Sequence, residues 1–304
     1  MDLSIVIVSW NTAALLEQCL ASVYASPPPV AFEVIVVDNV STDGSVELVR
    51  RQFPQVRLLV NEHNVGFARA NNQAIEASAG QYVLLLNPDT EVKPGALELL
   101  WRFMESRPEV GAAGAMLLNP DQTLQPSCYQ LPNLPREFWR MFHLDALWPY
   151  GVYRMAGWDS KVSREVEVLQ GAALLLRRTA LNQVGPLDPD YFIYTEEVDL
   201  CYRLQQAGWS LYYVPQAQVV HYGGQSTQQV AAEMFVQLYQ SKLLFFRKHH
   251  GWLAAQGYKL ILLLASVFRL LLTPLAWLEQ PSQRQQHLTL SNHYWRLVKA
   301  LPAL

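Results

Sequence analysis

The chain has 304 residues, a formal net charge of −3, and 51% apolar against 16% charged residues. A chain of this length accommodates one large domain with an appendage, and its composition is too polar on average for a protein with many membrane spans. The charge balance excludes the basic surface that a nucleic-acid-binding protein needs, so we expect no nucleic acid among the partners.

The cysteines and the first strand predict the compartment. Cys19, Cys128 and Cys201 are widely spaced and lack the spacing of metal ligands, which is typical of reduced thiols in a cytosolic protein. The apolar run at 3–8 is typical of a strand, without the basic segment and cleavage site of a signal peptide. We therefore expect the catalytic part of the chain in the cytoplasm.

Short apolar runs alternate with helical patterns through the first 116 residues. The predicted strands, each a nearly continuous apolar run, are 3–9, 33–38, 56–60, 81–87 and 110–116. Between them the pattern predicts helices at 12–25, 43–53, 67–78 and 94–106. This alternation predicts an α/β fold with a mostly parallel sheet flanked by helices.

The pattern is lost between 117 and 167, where proline and aromatic residues mix with polar ones. Farther along, apolar patterning returns at 168–177, and the sequence predicts a helix at 196–208 and strands near 210–214 and 217–221, followed by a helical tail. We therefore predict one domain over 1–228, with halves 1–116 and 117–228, and a separate helical tail over 229–304.

Polar side chains follow several of the predicted strands. The strand ends are Ser9-Trp10-Asn11, Asp38-Asn39 and Asn87-Pro88-Asp89. Ligands of open α/β sheets bind outside the carboxyl ends of strands, which favours a binding site over the ordinary turn chemistry of these residue types. The turn after the first strand contains no glycine, and no P-loop is present, so a dinucleotide fold and a P-loop enzyme are both excluded.

A series of motifs in the same order resembles glycosyltransferase family 2, and within it the rhamnosyltransferase-like branch. The motifs are Val8-Ser9-Trp10-Asn11, Val36-Val37-Asp38-Asn39 with Ser41-Thr42-Asp43-Gly44-Ser45, Asn64-Val65-Gly66-Phe67-Ala68 with Asn71-Asn72, Leu86-Asn87-Pro88-Asp89-Thr90 with Pro94-Gly95-Ala96-Leu97, and Gln170-Gly171-Ala172. The resemblance extends from residue 3 to about residue 226. A series of this length is far more specific than any single motif.

The resemblance implies a GT-A fold that binds a nucleotide-diphosphate sugar with the half 1–116 and an acceptor with the half 117–228. The donor is expected to be dTDP- or UDP-linked, with dTDP-rhamnose favoured. Asp38 is expected to accept hydrogen bonds from the pyrimidine or ribose. The implied nucleotide-sugar-binding residues are Ser9, Asn11, Asp38, Asn39, Asn64, Gly66, Phe67, Asn72, Asn87 and Gly171.

The resemblance also implies a divalent cation, Mg²⁺ or Mn²⁺, at the leaving diphosphate. Asn87-Pro88-Asp89 stands where many relatives carry Asp-x-Asp, so only Asp89 remains as a carboxylate ligand. His221 occupies a position where relatives place a histidine at the metal or diphosphate. The alternatives are that Asp89 caps a turn and that His221 is structural.

Glu196-Glu197-Val198-Asp199 stands where relatives carry Glu-Asp-x-Asp, whose second acid is the general base. Glu197 is therefore favoured as the base, and Glu196 stays open because both carboxylates can reach a hydroxyl. The alternative is that acids in the first turn of a helix only stabilise its dipole. A base, an acceptor hydroxyl and a leaving diphosphate together imply a single displacement that inverts the anomeric carbon.

The tail contains an apolar segment from 260 to 278 that is interrupted by Arg269, with basic residues over 242–250. A charge at that depth is costly in a bilayer, so we favour a helix in the membrane interface over a span, with packing on the domain or in a dimer as the alternative. We therefore expect a peripheral protein on the inner face of the plasma membrane. Its acceptor would be a saccharide or lipid-linked saccharide in cell-surface polysaccharide synthesis.

Two other functions compete with this interpretation. A sugar-1-phosphate nucleotidyltransferase would carry a glycine-rich turn after the first strand, which is missing. A catalytically inactive, membrane-associated scaffold that keeps the fold is favoured by Glu197 in place of aspartate and by the single carboxylate in Asn87-Pro88-Asp89.

Overall fold

Strands and helices alternate in the first part of the chain. The elements are β1 (Leu3–Ser9), α1 (Ala13–Ala25), β2 (Phe32–Asp38), α2 (Ser45–Gln52), β3 (Arg57–Val60), α3 (Phe67–Ala77), β4 (Tyr82–Leu86), β5 (Thr90–Val92), α4 (Ala96–Glu105) and β6 (Val110–Leu118). The predicted strands and helices up to residue 116 are all present, each within two residues at either end, and β5 is additional. This computed structural model describes residues 1–224, 227–278 and 280–304.

The second part of the chain is less regular. Its elements are β7 (Leu124–Gln125), β8 (Cys128–Tyr129), α5 (Leu134–Met141), β9 (Arg164–Glu165), β10 (Val168–Leu169), β11 (Ala173–Arg177), α6 (Arg178–Val184), α7 (Glu196–Gln206), β12 (Ser210–His221), α8 (Ala231–Leu272) and α9 (Pro281–Ala300). The patterned segment 168–177 forms two strands, β10 and β11, separated by residues 170–172. The strands predicted at 210–214 and 217–221 form one strand, with a register shift between Val214 and Gln218 that accommodates Pro215.

Ten strands form one sheet in the order β3-β2-β1-β4-β11-β6-β12-β5, with β7 beside β6 and β9 beside β12. β1 is parallel to β2 and β4, and β6 is parallel to β12, whereas β11 is antiparallel to β4 and β6. Because β11 is antiparallel to both of its neighbours, β6 runs in the same direction as β4. The carboxyl ends of β1, β2, β4, β6 and β12 therefore lie at one edge of the sheet.

Hydrophobic clusters cover both faces of this sheet. Successive side chains of β1 alternate between them, with Leu3, Ile5 and Ile7 in one cluster and Val6 and Val8 in the other. All of these side chains are buried, which explains why β1 is apolar in sequence apart from Ser4 and the terminal Ser9. The sheet edge is therefore held by a core on each side.

The chain divides into unit 1, Met1–Leu131 with Tyr153–Ser226, and unit 2, Pro132–Val152 with Thr227–Leu304. Residues 132–152, which the sequence places in the second half of the catalytic domain, thus belong to the unit that contains the C-terminal helices. Unit 1 contains the whole sheet and every residue that the sequence nominates for the site. The functional division into a nucleotide half and an acceptor half stays a prediction.

Unit 2 packs α5, α8 and α9 around a third hydrophobic cluster that includes Phe246, Tyr258 and Leu297. Glu137 accepts from Lys242 Nζ at 2.9 Å and from Arg140 at 3.3 Å. Burial alone raises the pKa of Glu137, but the charges of Lys242 and Arg140 outweigh it, so its pKa lies below the ordinary value. Lys242, counted from the sequence among the basic residues that face lipid, is instead part of this buried ion pair.

The second half of α8 exposes apolar side chains along one face. We define the apolar stripe as the exposed residues Leu260, Leu263, Leu264, Val267, Phe268 and Leu271. They recur three or four residues apart, while Leu262 and Ala265 on the other face are buried. Among the described residues, one helix, α8, has the length and composition of a membrane span.

Arg269 does not leave its charge unsatisfied on this helix. Its guanidinium donates to the carbonyl oxygen of Met141, approaches His143 Nε2 at 3.0 Å, and lies 4.9 Å from the ring centroid of Tyr294. A cation held by a carbonyl and an aromatic face within unit 2 is compatible with an apolar stripe beside it.

Candidate active site

Elements that are distant in sequence meet at the sheet edge. Ser9 lies opposite Asp38 in the β1–β2 register, and both residues end their strands. The N–H of Asn87, directly after β4, donates to the carbonyl oxygen of Ala172 at 2.9 Å. A Cβ added to the neighbouring Gly171 would lie 3.6 Å from the Cβ of Glu197, so the start of α7 reaches the same edge.

Asp38 has one carboxylate oxygen at this edge that accepts no hydrogen bond from the described residues. It is 1% exposed, and its Oδ1 accepts from the N–H of Ser41 at 2.9 Å. Its Oδ2 is buried and has no hydrogen-bond partner among the described residues. Asn11 fixes the loop around it, since its Oδ1 accepts from the N–H of Thr42 at 2.8 Å and its own N–H donates to Ser41 Oγ at 2.9 Å.

The segment from Asn64 to Phe67 joins the site through a glycine. Asn64 Oδ1 accepts from the N–H of Gly66 at 3.0 Å, and the N–H of Phe67 donates to the carbonyl oxygen of Phe192 at 2.6 Å. Gly66 has φ +87°, and a Cβ there would lie 2.7 Å from the Phe192 oxygen. Only glycine permits this approach, which brings the loop before α7 against the start of α3.

Three further nominated side chains, besides Asn11 and Asn64, have polar groups engaged within the protein. Asn39 Oδ1 accepts from Asn61 Nδ2 at 2.9 Å, and Ser9 Oγ lies 3.1 Å from Thr12 Oγ1. Asn72 donates to the carbonyl oxygen of Leu187 at 2.6 Å and accepts from its N–H at 3.1 Å. Asn72 also lines a cavity of about 350 Å³ beside Arg178.

Asp89 and His221 form a buried pair at the end of β12, each 5% exposed. Asp89 Oδ1 lies 3.4 Å from His221 Nε2, and Asn87 Nδ2 lies 3.4 Å from the same nitrogen. The Oδ1 of Asn87 is buried without a hydrogen-bond partner among the described residues. Within those residues no group of three or more His, Cys, Asp or Glu side chains could hold a metal ion. A carboxylate and an imidazole form a mixed oxygen and nitrogen donor set that fits Mn²⁺ better than Mg²⁺, since Mg²⁺ prefers oxygen ligands alone.

Glu196 and Glu197 open α7 after a strained turn. Tyr194 and Thr195 have φ +68° and +71°, a left-handed conformation that a β-branched residue rarely adopts. Glu196 is buried and Glu197 is half-buried, and the Oε2 atom of each has no hydrogen-bond partner among the described residues. Burial, and then the charge of Glu197, raises the pKa of Glu196 well above its ordinary value, and burial raises the pKa of Glu197.

Two carboxylates with raised pKa values at a sheet edge are typical of a site for proton transfer. The other acid in this turn has a structural partner, because Arg203 Nε donates to Asp199 Oδ2 at 2.7 Å. This i, i+4 ion pair leaves Glu196 and Glu197 as the acids of the turn with an oxygen that has no partner among the described residues.

Sequence reasoning missed Gln125 and Phe192. Gln125 Oε1 lies 2.7 Å from His221 Nδ1, although the two residues are 96 positions apart. The only signal for Gln125 was its place in the patternless stretch 117–167, which carries no periodicity to interpret. Phe192 contributes through its backbone oxygen, for which a sequence offers no signal.

Comparison with known proteins identifies the class. The family model for glycosyl transferase family 2 matches residues 4–166, and the chain belongs to this family. It is 35% identical over 266 residues to an N-acetylglucosaminyl-diphospho-decaprenol L-rhamnosyltransferase of Mycobacterium tuberculosis, covering 82% of this chain and 86% of that one. It is 28% identical over 172 residues to the rhamnosyltransferase WbbL of Escherichia coli, covering 52% and 61%. The predicted family and its rhamnosyltransferase-like branch are confirmed.

Solved structures confirm the predicted GT-A fold. The mannosyltransferase PcManGT of Pyrobaculum calidifontis, in complex with GDP-Man and Mn²⁺, superposes with a TM-score of 0.60 at 18% identity over 99% of this chain and 86% of that one. GalNAc-T7 with UDP, GalNAc and Mn²⁺ gives a TM-score of 0.55 at 18% identity, over 73% and 44%. At this identity the likeness concerns the fold alone.

Proposed function

We propose that this glycosyltransferase is a metal-dependent, inverting hexosyltransferase. Its donor would be a dTDP- or UDP-linked sugar, with rhamnose favoured, and its acceptor a saccharide or lipid-linked saccharide in cell-surface polysaccharide synthesis. The name of the mycobacterial relative, an N-acetylglucosaminyl-diphospho-decaprenol L-rhamnosyltransferase, supports both the choice of rhamnose and the choice of a lipid-linked acceptor.

One observation carries the proposal. Four buried side-chain oxygens at the sheet edge have no hydrogen-bond partner among the described residues, namely Asp38 Oδ2, Asn87 Oδ1, Glu196 Oε2 and Glu197 Oε2. Each unpaired buried acceptor costs folding free energy on the order of 1–3 kcal/mol. A ligand that donates hydroxyl or imide hydrogens offsets that cost, and a nucleotide sugar with its acceptor offers both.

Each group then has a role that its position permits. Asp38 accepts from the imide N–H of the base or from a ribose hydroxyl. Glu197 accepts the proton of the acceptor hydroxyl, whose oxygen attacks the anomeric carbon while the bond to the diphosphate breaks and its electron pair leaves with the phosphate oxygen. Attack from the face opposite the leaving group inverts the anomeric configuration without a covalent enzyme intermediate.

Glu197 suits the base role better than Glu196. It is half-buried and packs beside Gly171, whereas Glu196 is only 5% exposed and so less accessible to an acceptor. Asp89 and His221 would hold the divalent cation, which supplies neutralisation of the charge that gathers on the leaving diphosphate.

The exposed side chains of the tail support a membrane location. The apolar stripe lies on one face of α8, and exposed tryptophans at 252, 277 and 295 belong to the same unit. Tryptophan is enriched at membrane–water interfaces, and an exposed apolar helix face binds the acyl boundary there. A lipid-linked acceptor would be presented at the same surface.

Nucleotide binding tests the function directly. We expect calorimetric titration of the full chain with dTDP, UDP and GDP to show micromolar binding of one nucleotide that depends on Mn²⁺, since a cation screens the repulsion between diphosphate and Asp89. Asp38→Ala should abolish the preference among bases. Absence of binding to all three, with and without Mn²⁺, would contradict the proposal and favour the inactive scaffold.

Vesicle binding tests the membrane location. We expect the double variant Leu263→Glu/Val267→Glu to bind anionic phospholipid vesicles about tenfold or more weakly, because each buried aliphatic side chain contributes about 1.5–3 kcal/mol. The control is Gln285→Glu/Thr289→Glu, which adds the same charge at exposed positions of α9. If both double variants float with the vesicles as well as the unaltered chain does, the apolar stripe does not contact the membrane.

A further inference from the structure

The hairpin after β6 places Gln125 beside His221. β7 pairs with β6 in the register Leu117 to Gln125, while β6 runs parallel to β12 with Leu118 opposite Val220. Gln125 contacts His221 twice, through its Oε1 at 2.7 Å from Nδ1 and through its Nε2, which donates to the His221 carbonyl oxygen at 3.2 Å.

A chain of hydrogen bonds connects Gln125 to Asp121, and the donor and the acceptor of each bond can be assigned, starting from Asp121. Thr123 Oγ1 donates to Asp121 Oδ1 at 2.5 Å, and the Thr123 N–H donates to the same oxygen at 3.0 Å. These bonds, the hydroxyl first, lower the pKa of Asp121, so it is an ionised carboxylate that can only accept. The one hydroxyl hydrogen of Thr123 is thereby used, and its oxygen must accept from Asn119 Nδ2 at 2.9 Å.

The assignment at Thr123 then determines the orientation of the side-chain amides of Asn119 and Gln125. With its Nδ2 toward Thr123, Asn119 turns its Oδ1 to Gln125, whose Nε2 donates to it at 3.0 Å. The two hydrogens on Gln125 Nε2 are therefore directed at two acceptors, Asn119 Oδ1 and the His221 carbonyl oxygen. Gln125 Oε1 is left facing His221 Nδ1, and a carbonyl oxygen can only accept, so the Nδ1 atom must carry a hydrogen.

A neutral imidazole protonated at Nδ1 has its lone pair at Nε2. That nitrogen lies 3.4 Å from Asp89 Oδ1, longer than an ordinary N–H···O bond, and 3.4 Å from Asn87 Nδ2. At that distance the lone pair accepts only a long hydrogen bond from Asn87 Nδ2, and the carboxylate oxygen of Asp89 lies beside it, so the two atoms are placed as two ligands of one cation are.

We propose that Gln125, at the end of a relay through Asn119, Thr123 and Asp121, fixes the tautomer of His221 and so prepares its Nε2 atom as a ligand for a divalent cation. Gln125 is a positioning residue, since it acts through His221. The inference rests on the proposed function for the cation, whereas the tautomer itself follows from the hydrogen bonds alone.

The tautomer is measured without metal, by ¹⁵N NMR of the full chain labelled at histidine, at a mildly alkaline pH where imidazoles are neutral. His221→Asn assigns the signal. We expect Nδ1–H for His221, a shift toward Nε2–H in Gln125→Leu, and retention of Nδ1–H in Gln125→Glu, which keeps an acceptor in place. Gln122→Leu makes the same chemical change on the same hairpin, where the Gln122 side chain donates to the Pro120 carbonyl oxygen at 3.3 Å and not to His221, and should leave the signal unchanged.

The second measurement is Mn²⁺ affinity, by electron paramagnetic resonance in the presence of dTDP. Second-sphere partners of ligating histidines typically change metal affinity about 10–100-fold, and we expect a loss of that size in Gln125→Leu and none in Gln122→Leu. An Nε2–H signal in the unaltered chain overturns the inference. The predicted tautomer together with equal Mn²⁺ affinity in all variants overturns the ligand role, and with it that part of the proposed function, while the relay stands.

Discussion

Replacing Glu197 with glutamine is expected to lower kcat by about 10²–10⁴-fold, the contribution typical of a general base. Glutamine preserves the shape of the side chain but cannot take the proton of the acceptor hydroxyl. The measurement is sugar transfer under saturating donor, with dissociation of the nucleotide as a second readout that should stay within a few-fold of the unaltered chain. Glu196→Gln is the matched control, because it makes the same change one residue away and should reduce kcat far less.

The pH profile separates the two acids further. A base acts only when ionised, so activity should rise with pH through the pKa of Glu197, and burial places that pKa above the ordinary value of 4.5. This acid limb should disappear in Glu197→Gln and persist in Glu196→Gln. If the acid limb disappears in Glu196→Gln and persists in Glu197→Gln, or if Glu196→Gln lowers kcat more than Glu197→Gln does, Glu196 is the base.

Neither substitution should act by unfolding the protein. A carboxylate whose pKa is raised on folding binds its proton more tightly in the folded state, so its ionisation destabilises the fold as pH rises from the unfolded pKa to the folded one. Removing that charge at neutral pH should therefore leave the melting temperature unchanged or higher, which thermal denaturation measures.

Replacing Asp89 with asparagine is expected to weaken Mn²⁺-dependent nucleotide binding by about 10²-fold or more, since a carboxylate–cation contact contributes several kcal/mol. Asparagine keeps the size of the side chain but removes its charge from beside His221 Nε2. Titration of the preferred nucleotide with and without Mn²⁺ gives the difference that matters, and binding without metal should change little.

Glu91→Gln is the control for this experiment. Glu91 lies two residues away on β5, its side chain is 40% exposed, and its Oε1 pairs with Lys93 Nζ at 3.1 Å. Its loss should leave the metal dependence intact. If Asp89→Asn keeps the same dependence on Mn²⁺ as Glu91→Gln, Asp89 is not a ligand, and the alternative that it only caps the turn before β5 is favoured.

The sheet edge was predictable because buried parallel strands are continuous apolar runs. Residues such as Ser9, Asp38 and Asn87 mark where each run stops, and the edge rule for α/β sheets then brings them together. The hairpin that carries Gln125 has no such mark, because β7 contains two residues and its partner strand is defined only in three dimensions.

Motifs also do not tell which polar atoms remain available. Asn39, Asn72 and Asp38 are equally good motif residues, yet only Asp38 keeps a buried oxygen without a partner among the described residues. Such a difference depends on hydrogen bonds to residues as far away as Leu187, which a linear pattern does not contain. The sequence also does not reveal that Lys242 pairs with the buried Glu137. Its charge therefore lies inside the protein and does not face lipid.

The left-handed turn at Tyr194 and Thr195 has a consequence for engineering. Backbone strain at such positions costs on the order of 1–3 kcal/mol each, and here it lies immediately before both catalytic candidates. Selection for heat resistance alone should therefore favour substitutions that relax this turn, at the expense of turnover. A screen that scores only survival after heating would enrich inactive enzymes, so thermostable variants of this transferase need to be selected on retained transfer activity.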